Sequence, residues 1–284
     1  MSNSISHKAV LVNLSMSHWT ARKKSKEANT AIIREFCTTR EATNTTKALI
    51  DRKYGAQIRS IQTAAKLYHR EVTLAWMDEG ARILPTQYYT EYVQKMNDFK
   101  HEMAIAVEHL ISVYQIAIKE AAHDLGELAN FNDYPSVQEL RDKYDISIAI
   151  FPIPEAADFR LTVGDYDVEQ MKADMQSGLN ASLKAAVQEV WDRVNDVVGH
   201  LHEFLADDTH ILRDAILHNV SALVDALPKL NVTGDRGIEQ MVDELKTKVL
   251  PLDLEACRRN GDVRKQAASE TEKVLKQMQF FMGS

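Results

Sequence analysis

The sequence predicts a mainly α protein, a long antiparallel helical arm or bundle carrying a small three-stranded β element. Three observations predict it. Residues 167–205 space their apolar side chains by three or four, from Val168, Met171 and Met175 through Leu179, Leu183, Val187 and Val190 to Val194, Leu201 and Leu205. That spacing lines one face of a 3.6-residue helix. Residues 86–125 repeat the pattern with Tyr89, Tyr92, Met96, Phe99, Met103, Val107, Leu110 and Tyr114. Between the two, the period changes to two at Ile146, Ile148 and Ile150 and again at Phe159, Leu161 and Val163, the mark of strands. A helix over 167–205 would run roughly 58 Å at 1.5 Å per residue, so it needs a long partner. The 86–125 helix is the expected one, the two folding back as an arm with the strands near its tip. Neither stripe keeps a strict heptad, which favours straight helices over a coiled coil.

Taken in order, Val10, Val12, Leu14 and Met16 alternate with Leu11, Asn13 and Ser15, predicting a first strand that completes the three-stranded element. Two strands alone would be marginal. Trp19 follows beside Arg22, Lys23 and Lys24. A helix is expected from Ser25 to Phe36, then a loop over the Thr/Asn-rich residues 38–46, whose side chains compete for backbone bonds. The next helix is predicted over 47–78 from Ile50, Tyr54, Ile58, Ile61, Ala65, Tyr68, Val72 and Trp76. Gly80 and Pro85 end it. Gly126 terminates the 86–125 helix, and a short helix is expected over 136–143. Asp167 is placed to cap the long helix, with Gln170 completing a capping box. Beyond it, helices are expected over 209–227 (stopped by Pro228), 236–250 (stopped by Pro251) and 262–281. The organisation expected is a basic segment 1–85, the arm 86–206 with a strand-bearing insert 130–166, and a C-terminal helical region 207–284.

Among 284 residues, 45% hydrophobic and 26% charged, no run of about 18 apolar residues marks a membrane span, and the first residues lack the pattern of a signal peptide. Cys37 and Cys257 lie far apart in no CxxC spacing, which fits free thiols in a reducing compartment, the cytoplasm by default. The net charge of −7 hides an asymmetry. Residues 1–60 hold eleven Lys/Arg against four acids, and the remainder 23 basic against 37 acidic residues. A basic head on an acidic body permits association between copies or an anionic partner for the head; charged faces that are merely solvated are the plain alternative.

The chemistry-bearing patterns are sparse. His101-Glu102 begins like HExxH, but the fifth position is Ile105. His200 and His202 would point roughly 200° apart on a helix and cannot share one ion. His210, Asp214 and His218 share a face, opposite Ile216, Val220 and Leu223, which is expected to be exposed and solvated. Residues 232–237 carry two glycines without a phosphate-loop spacing, and no GxSxG nucleophile elbow occurs. No enzyme, no metal site and no cofactor is expected. Trp19 with Arg22, Lys23 and Lys24 is a candidate for stacking a base and gripping phosphate, against the reading that Trp19 covers the small sheet while the cations sit in water. The acidity of the remainder opposes nonspecific binding of a polyanion. Tyr88, Phe280 and Phe281 are candidate partner anchors, whereas Tyr89 and Tyr92 lie on the apolar stripe and are expected in the core.

The stretch from Val10 to Lys24, VLVNLSMSHWTARKK, resembles the start of an uncharacterised helical family carried by bacteriophages and mobile elements, some of whose members are encoded near MoxR-like AAA+ ATPases. The likeness lies in the apolar strand, the Trp-Thr/Ser-Ala/Gly-Arg-Lys step and the long helices behind it, and covers about fifteen residues. It implies a phage-type accessory protein, acting in a host cell's cytoplasm, and assigns no active site. The function expected is therefore non-enzymatic: self-association and binding to a protein complex of phage or host. The alternative is a nucleic-acid-binding protein that uses the basic head.

Overall fold

A computed structural model describes residues 5–76, 80–154 and 165–282, the side chains of 165–168 excepted. The protein is mainly α. Its elements are β1 (Ala9–Ser17), β2 (Arg22–Lys24), α1 (Lys26–Phe36), β3 (Thr46–Ala48), α2 (Ala56–Val72), β4 (Leu74–Ala75), β5 (Arg82–Pro85), α3 (Tyr89–Leu125), α4 (Val137–Asp142), β6 (Asp145–Phe151), α5 (Asp165–Ala206), α6 (Ala215–Leu230), α7 (Arg236–Glu244), α8 (Leu254–Arg259) and α9 (Gly261–Met282). No helix among the described residues is long and apolar enough to cross a membrane.

The expected three-stranded element is instead a four-stranded sheet of order β4-β5-β1-β6 beside a separate β2-β3 pair. β1 and β6 are the predicted strands; the predicted strand over 159–163 lies outside the described residues. β4 and β5 fall where the sequence reading continued a helix and placed a turn. β5 runs antiparallel to β1, with Ala9 opposite Pro85 and Val12 opposite Arg82, and β4 pairs Leu74 with Ile83. Pro85, which cannot donate a ladder bond, sits at the end of its strand.

The chain divides into two compact units, one of Met1–Asn13, Arg70–Thr90 and Ala149–Ser284, the other of Leu14–His69 and Glu91–Ile148. α5 belongs to the first and α3 almost wholly to the second.

In the first unit α5 finds its long partner in α9 and also packs on α6. Ala186, Val190, Trp191, Val194, Val198, Leu201 and Leu205 are buried, as are Ala267, Ala268, Val274 and Met278 of α9. Burial of the stripe is complete only from Val190 onward, Val187 being half-buried. Leu179 and Leu183 are half-buried and Met171 is 37% exposed. Helix α5 begins at Asp165, so Asp167 lies inside it, and Gln170 bonds Asp174 at 3.0 Å rather than closing a capping box. At the other end the Arg264 guanidinium donates to the carbonyls of Phe204, Leu205, Asp207 and His210, satisfying oxygens that a helix terminus leaves without intrahelical partners. Glu189 accepts from Ala75 N–H, Arg82 and Arg193 at 2.5–2.7 Å. Burial alone would raise its pKa, but Arg193 and Arg82 outweigh that and hold the carboxyl below its usual value. Arg193 also donates to the carbonyls of Arg70, Glu71 and Thr73, each at 2.6 Å.

Two predicted boundaries differ here. Pro228 does not stop its helix, since α6 runs on to Leu230. The bond and carbonyl clash that proline costs are met here, but only two helical residues follow it, so little helix is left to bend away. That helix also starts at Ala215, because Thr209 turns back to bond Asp207 through both its N–H and its hydroxyl.

In the second unit Ile58, Ile61 and Ala65 of α2 are buried, with Tyr92, Met96, Phe99, Met103, Val107, Leu110 and Tyr114 of α3. Tyr68 stacks on Tyr92 at 6.2 Å, and His69 Nδ1 lies 2.8 Å from the Tyr92 hydroxyl. Ser25 caps α1 by accepting from Ala28 N–H at 3.2 Å. Ser136 and Glu139 form a full capping box on α4. The helix predicted over 47–78 begins only at Ala56. Before it come β3 and a short 3₁₀ turn, Arg52–Gly55, because Leu49 N–H bonds the Ala21 carbonyl at 2.8 Å instead of an intrahelical partner.

Candidate nucleic-acid interface

The basic head folds as the β2-β3 pair, in which Arg22 faces Ala48, Lys23 faces Lys47 and Lys24 faces Thr46. Two lysines directly opposite repel, and Asp133 answers both: Oδ1 accepts from Lys23 and Oδ2 pairs with Lys47, each at 2.7 Å. Lys47 also donates to the Leu128 carbonyl at 2.6 Å. The side chains of Lys47 and Asp133 are only 8% and 7% exposed. Hydrogen bonds from Lys23 and then Lys47 hold the Asp133 carboxyl below its usual value. Successive strand residues point to opposite faces, so fixing Lys23 toward Asp133 sends Arg22 and Lys24 the other way. Both are exposed, and neither forms an ion pair among the described residues.

Arg22 lines a cavity of about 390 Å³ built wholly within this unit. Its wall begins with His18, Trp19, Thr20 and Ala21, continues across Ala48 and Ile50, and closes with Asp51, Arg52, Gly55 and Arg59 and with Tyr144. Ala21 has φ 53°, a left-handed conformation that L-residues adopt at a cost of about 1–2 kcal/mol. That turn separates Trp19 from Arg22 while both still line one cavity. Trp19 is half-buried and held by Tyr114, the rings 5.9 Å apart at 81°. Arg59 Nη2 donates to the Arg52 carbonyl at 2.5 Å. Its guanidinium lies so close over Gly55 that a Cβ there would stand 2.8 Å from Nη1. Asp51 is spent on its own backbone, accepting from Lys53 N–H at 2.8 Å to cap the 3₁₀ turn. Among the described residues no carboxylate pairs with Arg22, Arg52 or Arg59. Burial pushes the Tyr144 phenol up to about 12, with the Arg59 charge acting against the rise; at neutral pH it is a hydroxyl. Lys24 lines a neighbouring groove of about 610 Å³ with Lys26, Arg40, Asn29 and Asn44.

The structure therefore brings together Trp19 and Arg22, sets Lys24 on the adjoining groove, and diverts Lys23 into an ion pair. The three aromatic candidates lie elsewhere in the chain. Tyr88 is 7% exposed, with the Lys229 ammonium 4.6 Å from its ring centre. Tyr89, expected in the core, is 41% exposed. The two exchange places because Thr86–Tyr88 forms a 3₁₀ turn, which advances the chain by about 120° per residue instead of 100° and shifts the phase of the stripe. Phe281 stacks on Trp191 at 6.1 Å, while Phe280 is 71% exposed. His210 and His218 are exposed but share no helix face, since α6 begins at Ala215 and His210 lies before it, stacked on Phe204 at 4.5 Å. His200 packs on Phe204 and His202 bonds Thr271 and the Ala268 carbonyl. Among the described residues no three His, Cys, Asp or Glu side chains gather as metal ligands.

Sequence reasoning missed Arg52 and Arg59. They stand seven residues apart, about two helical turns, on either side of a glycine, and that spacing was the available signal. Their approach to Trp19 depends on β2-β3 pairing, which local periodicity does not report. No protein-family model, no curated protein and no solved structure matches the chain.

Proposed function

We propose that the protein is a non-enzymatic binding protein, of the accessory kind its opening residues resemble, and that it holds single-stranded nucleic acid on the basic face of the β2-β3 unit. The observation that supports this most is the cavity that joins Trp19 to three arginines without carboxylate partners. Aromatic rings stack bases of any sequence, and arginine forks match phosphate oxygens. Arg22 and Lys24, two residues apart on one strand face, extend the positive surface from the cavity into the groove of Lys26 and Arg40. The acidic remainder of the chain does not forbid this, because charges beyond a Debye length of about 8 Å are largely screened at physiological salt. The unit itself carries sixteen Lys/Arg and fifteen Asp/Glu, so the attraction comes from the cluster and not from net charge.

Fluorescence anisotropy of the full chain with a labelled single-stranded oligonucleotide tests it. Each phosphate contact contributes about 0.7 to the slope of log K against log salt. Replacing Arg22 and Lys24 together by Glu should lower that slope by about 1.4 and weaken binding at least tenfold, with an unchanged melting curve. Failure of the wild-type chain to bind any single strand at low salt overturns the reading.

A second reading, self-association, is favoured by Ile105 and Ile116 of α3, 56% and 57% exposed. They lie eleven residues apart, three helical turns, on one side of the helix. Light scattering should give a mass above 32.2 kDa at micromolar concentration, and Ile105→Glu with Ile116→Glu should restore the monomer. A monomeric wild-type mass refutes it.

A further inference from the structure

We infer that the cavity of Trp19, Arg22, Arg52 and Arg59 is a pocket for one nucleoside phosphate carrying a terminal phosphate monoester, either a free mononucleotide or the phosphorylated end of a strand. This rests on the nucleic-acid reading above and names the chemical group that its cavity selects.

Three features of the cavity carry it. The first is charge. Arg22, Arg52 and Arg59 against Asp51 leave a net +2 on the lining, and a phosphate monoester carries about −1.5 to −2 at neutral pH. A phosphodiester within a strand carries only −1, so the site is over-charged for a through-running backbone and matched to an end. The second is preorganisation. Arg59 is tied to the Arg52 carbonyl and seated over Gly55, so little side-chain freedom remains to be lost on binding. The third is size and chemistry: about 390 Å³ falls in the range of small-ligand pockets. Trp19 supplies a ring for the base, fixed by Tyr114.

Gly55 supplies a clean perturbation. In Gly55→Ala the new Cβ meets the far end of a flexible arginine, not backbone. The fold is kept and every cation remains, but the Arg59 guanidinium must leave its seat.

The test is a titration of the full chain with three probes: 5′-phosphorylated oligodeoxythymidylate, the same strand with a 5′-hydroxyl, and thymidine 5′-monophosphate. The phosphorylated strand is expected to bind at least tenfold tighter than the hydroxyl strand. Gly55→Ala and Arg59→Gln should each remove that difference, weakening the phosphorylated strand far more than the hydroxyl strand. Mononucleotide binding as tight as that of the phosphorylated strand identifies the free nucleotide as the ligand, and weaker mononucleotide binding identifies the strand end. Either result supports the pocket. Equal affinity for both strands, with no mononucleotide binding at millimolar concentration, overturns it and leaves the wider nucleic-acid reading intact. Mononucleotide binding without binding of the hydroxyl strand does the reverse.

Discussion

Replacing Asp133 by Asn removes the charge that reconciles Lys23 with Lys47. Lys47 would then keep a cation in a site where its side chain is 8% exposed, with the Leu128 carbonyl and an amide oxygen as acceptors. Breaking one side of a fully buried ion pair costs about 3–5 kcal/mol. Here Lys23 is half exposed and can turn into water, and Lys47 retains one good acceptor, so the cost falls at or below the low end of that range, about 2–3 kcal/mol. For a unit of this size about 4 °C of melting temperature corresponds to 1 kcal/mol, and differential scanning calorimetry should show a fall of about 8–12 °C. Lys23→Met, by contrast, should cost under about 1 kcal/mol, as exposed pairs do. The pH dependence has a definite sign. Asp133 is held below its unfolded value of about 3.9, so its contribution is fully present above that value and is lost as pH falls through the lower folded value. The gap between wild type and Asp133→Asn should be constant from pH 5 to 8 and close in acid. A melting temperature within about 2 °C of wild type at pH 7, or a gap unchanged at pH 3, would refute the reasoning.

Three further outcomes follow from the packing. Leu201, fully buried in α5, should lose about 3 kcal/mol on Leu201→Ala, whereas half-buried Leu183 should lose about 1 kcal/mol on Leu183→Ala, read by urea denaturation; equal losses would mean that the stripe is buried uniformly. Arg193→Ala removes the donor to the Arg70 and Glu71 carbonyls and to one contact of Glu189, the Thr73 carbonyl keeping Arg82, and should cost about 2–3 kcal/mol, with Arg193→Lys recovering less than half because an ammonium cannot span the same fork. Ser25→Ala removes the side-chain cap of α1 and should cost about 1 kcal/mol in chemical denaturation; no change would show that another group caps Ala28.

Long periodic segments were legible because their signal is repeated many times. α3, α5 and α9 begin and end within a few residues of their stripes, and Ser25 and Ser136 announced the helices they cap. What failed was decided by partners distant in sequence. Ile50, Tyr54 and Ile58 have helical spacing, yet Leu49 N–H is taken by Ala21, and the segment before Ala56 becomes strand and 3₁₀ turn. β4 and β5 are too short for a period to register, and only pairing, of β5 with β1 and of β4 with β5, makes them strands. In the site, Trp19, Arg22 and Lys24 could be named from an aromatic beside cations. Lys23 could not be separated from them until its register opposite Lys47 was known. Ala21 gave no warning of its left-handed backbone, since glycine or asparagine is the residue that usually announces one.

The division of the chain has a consequence for how the protein is made. Each unit is assembled from separated stretches, and the chain passes between them after residues 13, 69, 90 and 148. The second unit has all its parts once residue 148 has left the ribosome. The first has its opening strand at once but must wait for α9, the helix that covers α5, to be synthesised. At about 5–20 residues per second that delay is roughly 15–55 s. Throughout it β1 holds an apolar strand, and from the completion of α5 at residue 206 the buried half of that helix waits uncovered until α9 follows. Synthesis therefore creates an interval in which a nascent chain is half finished in a fixed order, and in which a chaperone or a second ribosome's product meets surfaces that the completed protein no longer presents. A fragment ending between α5 and α9 would carry the same exposure permanently.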